Sequence, residues 1–283
     1  MKGNQAEIAA AVEKSKSDFE HVLGIALASK NAAAGTRTDL SGVIADTLML
    51  RCWLTGMSIN QLLHPTATGN FLALSFPDWP SIASLSRSIF EGYLALFSLT
   101  ISPRTKEDRE LRLLWWNWHE INGRARSLDL VGSKNPEVAN IRLKLKETKK
   151  KLQAHSQFSR IPKDLRETFE KGKRPYRALL ERPRQISKNA GIIGEHFEAH
   201  YQFMSEAAHS QPFVIGMLRR HEPQDTKMLM LLKRSADYAT SFLALAVRDF
   251  AQMAPKADCV LDARFRNIVA IWSGVYATPF KRV

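Results

Sequence analysis

Tyr201, Ser205 and His209 recur at four-residue intervals in YQFMSEAAHS, a stretch whose other positions are mostly apolar or small. On a helix that spacing puts a phenol, a hydroxyl and an imidazole on one stripe. A pair with the same spacing, Arg87 and Glu91, supplies the only charges in SIASLSRSIFEGYLALFSLTI, a segment apolar around nearly its whole circumference. Burying either charge alone costs about 3–5 kcal/mol, so each needs a partner or a wet cleft. Buried polar groups on the 201–209 stripe need partners as well. The two sets are complementary: a guanidinium to hold an anionic or carbonyl oxygen, and a carboxylate to orient a donor. The helices that carry them are therefore predicted to face each other. The five residues form either a catalytic pocket or a polar lock between two core helices, and the residue types admit both.

Other spacings offer rival chemistry. RLLWWNWH places Arg112 and His119 at the two ends of an R-x6-H interval, where Arg could steady a scissile phosphate and His could handle protons near neutral pH. Its tryptophans, Trp115, Trp116 and Trp118, read as core or interface packing before they read as a base-stacking platform. Glu206 and His209 have the E-x-x-H spacing of di-iron carboxylate bundles, with Glu91 and Glu198 as further candidates. Such sites need that motif twice and it occurs here once. Nearby, Glu195, His196 and His200 are expected to point in several directions around the helix, so no metal is assigned. Ser205 with His209 one turn away could act as nucleophile and base, but no nucleophile elbow or oxyanion loop accompanies them. Glycine-rich phosphate loops are absent, and no cofactor is expected.

The combination R-S-I-F-E followed by Y-Q-F-M-S-E-A-A-H-S resembles a family of uncharacterised bacterial all-helical proteins. Its recurring pattern is R-x-x-x-E and then Y-x-x-x-S-x-x-x-H, and the likeness covers roughly Ser81–Pro212. That resemblance implies a shared pocket built from Arg87, Glu91, Tyr201, Ser205 and His209, and it leaves the reaction open. RLLWWNWH is similar to the R-x6-H motif of the HEPN superfamily, helical proteins that often pair across a dimer to cleave RNA. The residue after the Arg is usually polar in that motif and is Leu113 here. This second likeness implies an RNA substrate, a homodimer and a ribonuclease-like role in bacterial defence.

Charge distribution points the same way by a different route. The net charge is +13, and between Arg142 and Lys188 there are 16 Lys and Arg against 5 Asp and Glu. A basic stripe of that density suits RNA or another polyanion, with Lys144, Lys149, Lys150, Lys151, Arg174 and Arg177 as the candidate contacts. A solvated helical arm with no polyanion partner has the same composition. The longest apolar stretch, Ser88–Ile101, is too short to span a membrane and contains Glu91. Cys52 and Cys259 stand far apart and form no disulfide framework, and the charged start MKGNQAEIAAAVEKSKSDFEHVLG lacks the apolar core of a signal peptide. The expectation is a cytoplasmic protein without a membrane partner.

Helices must position all of these groups. Apolar positions spaced at three and four residues run through 5–30, from about Asp39 to Leu63, from Asp78 or Ser81 to about Ser102, and over 106–130. They recur in EVANIRLKLKETKKKLQAH, in GIIGEHFEAHYQFMSEAAHS up to Pro212, and in Asp225–Phe250 and Asp258–Gly274. HPTATGNFLALSFPDWP, with three prolines and a glycine, reads as loop. No alternating strand pattern, hairpin signal or internal repeat interrupts them. The predicted fold is all-α: a single helical bundle, core about 1–131 and 189–274, with a basic helical insertion over about 136–188. Arg87–Ser102 and Gly191–His209 are expected at its centre. Function divides into two readings, an enzyme acting on RNA or a nucleotide, and a non-catalytic nucleic-acid-binding or partner-binding protein whose polar cluster is structural.

Overall fold

Several helix starts in this chain are set by single capping residues. The computed structural model describes residues 2–36, 39–64, 78–173, 175–222 and 225–277, with side chains from Gln5 onward. Asp39 Oδ1 accepts from Gly42 N at 3.2 Å and opens α2 (Leu40–Leu63), after α1 (Lys2–Ala33). Asp78 Oδ1 accepts from Ser81 N at 3.1 Å and, with Pro80 in the first turn, opens α3 (Trp79–Leu96). Thr105 caps α4 (Lys106–Leu130) in the same way. Each cap satisfies an amide that would otherwise lack a partner in the first turn. Then come α5 (Glu137–Ala154), α6 (Lys163–Glu170), α7 (Pro183–Asn189), α8 (Gly194–Ala208) and α9 (Pro212–Arg220). The chain ends in α10 (Thr226–Met253), α11 (Pro255–Cys259), α12 (Ala263–Gly274) and a short 3-10 turn, Val275–Ala277. Every regular element among the described residues is helical, as the sequence predicts. None of these helices is long and apolar enough to cross a membrane. Most of the predicted loop at His64–Pro80, residues 65–77, lies outside the described residues.

Contacts divide the chain into two units, Met1–Phe97 with Ser187–Val283, and Ser98–Ile186. The division falls in a π-helical turn, Phe97–Ile101, at the end of α3. In the first unit α10 packs against α1, α2, α3, α11 and α12, and α8 packs on α3. Centrality therefore belongs to α10 and α3, whereas α8 buries one face only, through His196, His200, Phe203, Met204 and Ala207. The reason is composition. Every residue from Ala239 to Val247 is buried, and none of them carries a charge, so neighbours can close on α10 from all sides.

Two glycines set helix spacing. A Cβ at Gly92 of α3 would lie 2.9 Å from Cys52 Sγ of α2, and one at Gly56 would lie 2.7 Å from Leu23 Cδ1 of α1. The charge taken deepest into this unit is Asp249, 2% exposed; its carboxylate accepts from Arg248 Nε at 2.7 Å, Arg248 Nη2 at 3.1 Å and the Tyr93 hydroxyl at 3.0 Å. Burial first, then the Asp249 charge, pushes the Tyr93 phenol far above its ordinary value and keeps it a neutral donor.

The second unit has its own core. α4 packs beside α5, and Trp115, Trp118, Leu152, Leu165 and Phe169 fill the space between them and α6. Trp118 meets Phe169 edge-to-face at 4.7 Å. Trp115 and Trp118 are buried, so they are packing residues. The basic stretch predicted over 136–188 folds as part of this unit, which begins earlier, at Ser98, and includes α4.

Candidate functional site

α3 and α8 face each other, and the polar groups meet where the sequence predicts. Phe90 meets Phe197 at 6.1 Å and Trp79 stacks on Phe203 at 5.6 Å. These aromatic contacts hold the helices at a distance a guanidinium can span. Arg87 Nε donates to Glu91 Oε1 at 2.9 Å, Nη2 to the Tyr201 hydroxyl at 2.9 Å and Nη1 to Ser205 Oγ at 3.2 Å. Its guanidinium carbon also lies 4.7 Å from the centre of the Tyr201 ring. Burial opposes the charge on Arg87, but hydrogen bonding to Glu91 and attraction to Tyr201 and Glu91 outweigh it, so the group stays protonated. The pair is not a buried one: the Arg87 side chain is 20% exposed and Glu91 52%. Beside it lies a groove of about 630 Å³, lined by Tyr201, Ser205, Glu198 and Glu206 among others.

His209 is the member of the stripe that does not join. Helix α8 stops at Ala208, and His209 is its exposed C-cap. Beyond it Ser210 adopts a left-handed φ of 48°, with Ser210 N donating to Ala207 O and Gln211 N to Glu206 O. This is a Schellman turn, and it redirects the chain so that Pro212 becomes the first residue of α9. The i,i+4 register that unites Tyr201 and Ser205 therefore lapses one residue before His209. Ser205 Oγ accepts from Arg87, and no hydrogen bond joins it to His209 among the described residues. Glu206 accepts from Gln202 Nε2 at 3.1 Å, and no group of three His, Cys, Asp or Glu among the described residues is placed to hold a metal ion.

The rival pair is committed to its own unit. Arg112 forms ion pairs with Glu181 at 2.6 Å and Asp108 at 3.0 Å, and donates to the Ser98 carbonyl at 3.1 Å. His119, buried, places Nε2 3.0 Å from the Pro175 carbonyl. Both side chains tie α4 to the segment that returns over it.

Two basic candidates need correction. Lys149 is half-buried, its ammonium 5.3 Å above the Phe169 ring, because its position on α5 borders the core face. Arg177, its side chain 11% exposed, pairs with Asp164 at 3.3 Å and lies over the Tyr176 ring. Arg174 lies outside the described residues. Lys144, Lys150 and Lys151 are exposed as predicted, and so is Lys146, which shares their helix and was not singled out by sequence reasoning.

Sequence reasoning also missed a second cluster. His196 and His200, expected to diverge, share a face of α8 at i,i+4 and stack at 5.4 Å, with Nδ1 of the first 3.2 Å from Nε2 of the second. Both are buried, His200 against Tyr238 and Tyr276 and His196 against Tyr276. Burial, then the Arg234 charge, then His196, lower the His200 pKa to about 3. Their four-residue spacing was the available signal; which face meets α10 and the C-terminal turn was not readable from it. Family models, curated proteins and solved structures contain no match to this chain.

Proposed function

We propose that this protein binds nucleic acid through its second unit and that the Arg87 cluster is a clamp between helices, not a reacting centre. The observation that carries the reading is where the charge resides. Of the net +13, the segment Ser98–Ile186 holds nearly all, with 22 Lys and Arg against 11 Asp and Glu. On the outward side of α5, Lys144, Lys146, Lys150 and Lys151 are exposed and make no ion pair with another described residue. Uncommitted ammonium groups spread around the exposed arc of a rigid helix neutralise backbone phosphates at small cost in ordering, and their attraction is independent of base sequence. The clamp reading rests on Arg87 spending its donors on Glu91, Tyr201 and Ser205 while His209 stands apart.

The test is affinity against salt for single-stranded RNA and duplex DNA, with the integrity of the nucleic acid followed in parallel. With about four to five phosphate contacts the log–log slope for duplex DNA is on the order of −4, and shallower for a single strand. Lys144→Glu, Lys150→Glu and Lys151→Glu together should weaken binding for every sequence and flatten the slope by about 2 to 3, since each lost contact removes roughly 0.9. Lys149 is left in place because it packs on Phe169. Affinity that is flat between roughly 50 and 200 mM salt would refute the binding reading. Cleavage of the RNA that disappears in His209→Ala would refute the non-catalytic one.

A further inference from the structure

A cavity of about 720 Å³ opens between α8, α9, α10 and the C-terminal turn, in the first unit and apart from the Arg87 cluster. That volume lies within the roughly 300–1,000 Å³ typical of small-molecule sites. Its buried end is aromatic and polar at once: His200, Tyr238, Tyr276 and Ser241 are all under one-tenth exposed. Met217, Leu231 and Trp272 form apolar wall, and Phe213 and Met230 continue it to the surface, 44% and 55% exposed.

Two polar atoms are buried in this lining. Asp237 Oδ1 finds no partner among the described residues, whereas Ser241 Oγ lies beside the Tyr276 hydroxyl and interacts with it. The lining around them is mostly apolar and aromatic, which suits an occupant with an apolar body. The mouth decides the sign of its charge. Lys227, Lys233 and Arg234 line the opening against a single acid, Asp237, whose other oxygen already accepts from Lys233 at 2.5 Å. Arg234 Nε donates to the Tyr238 hydroxyl and its guanidinium covers Phe203 at 4.7 Å. Its two terminal nitrogens make no hydrogen bond with a described residue, which leaves an immobilised planar fork suited to a carboxylate.

We infer that this cavity is a binding site for a small organic acid, its apolar body inside and its carboxylate on Arg234 at the mouth. The aromatic floor alone would also suit a quaternary ammonium ion, but the cationic mouth repels one. The buried imidazole adds no charge, because burial and Arg234 hold His200 neutral.

Three probes with one body and different heads test it by calorimetric titration of the full chain: decanoate, decanol and decyltrimethylammonium. Decanoate should bind at least tenfold more tightly than decanol, and the cation weakest. Arg234→Gln should weaken decanoate about tenfold or more while leaving decanol unchanged, as expected for loss of a hydrogen bond to a charged group. Met217→Trp, which fills the wall from a half-buried position, should abolish both, with circular dichroism and thermal melting showing each variant folded. Equal affinity for the three probes, preference for the cation, no binding of decanoate, or decanoate binding insensitive to Arg234→Gln in the folded variant would each overturn the assignment.

Discussion

Replacing Arg87 by Met removes the hydrogen bonds between α3 and α8 and keeps the apolar stem that packs between them. The expected cost follows from exposure. Complete loss of one partner from a buried pair costs about 3–5 kcal/mol, and an exposed pair is worth about 0–1 kcal/mol. Arg87 lies between these limits: its side chain is 20% exposed, Glu91 is 52% exposed, and the groove bordering Tyr201 and Ser205 lets solvent reach the groups left behind. We expect a loss of about 1–2 kcal/mol, because the bonds are charge-assisted but no freed group is stranded. Urea denaturation should show the midpoint falling with an unchanged slope, the signature of altered stability at constant exposed area. A double-mutant cycle with Tyr201→Phe should give a coupling above about 0.5 kcal/mol, since the two side chains touch. His209→Ala, at an exposed C-cap, should stay within about 0.5 kcal/mol of wild type. An Arg87→Met protein as stable as wild type, or a destabilised His209→Ala, would refute the clamp reading.

Asp249→Ala should be the costlier charge deletion, by about 3 kcal/mol, because it strands the buried Tyr93 hydroxyl as well as Arg248; chemical denaturation measures it, and Tyr93→Phe in the same background should recover part of the loss. Acid should weaken the first unit through His200. Its folded pKa, about 3, lies below the ordinary 6.5, so the unfolded chain binds the proton first, and the stability present above pH 6.5 falls as pH drops toward 3. From pH 7 to 5 that loss is about 2 kcal/mol, and His200→Gln should remove it from the pH profile. Thiol labelling of the native protein should modify Cys259 quickly and Cys52 only on unfolding, since burial pushes the Cys52 thiol up to about 12 and Cys259 is exposed. Rapid labelling of both would contradict the packing of α2 against α3.

Local chemistry made much of this molecule legible in its sequence. Asp39, Asp78 and Thr105 are cap residues by type, and they start α2, α3 and α4 where the pattern predicts. Arg87, Glu91, Tyr201 and Ser205 could be matched because an isolated charge and isolated hydroxyls on apolar helices must find partners, and few were on offer. What the sequence did not decide was anything that depends on where a helix ends or which of its faces meets a neighbour. His209 fits the stripe by number, but a left-handed Ser210 closes α8 first, and φ at one non-glycine residue is not written in spacing. His196 and His200 are also four apart, and only the packing of α8 against α10 and the last turn made them the neutral, buried end of a cavity. Lys149 and Lys150 are adjacent and alike in composition. One lies on Phe169 and the other in solvent, because a helix turns about 100° per residue and tertiary structure alone chooses which side is in.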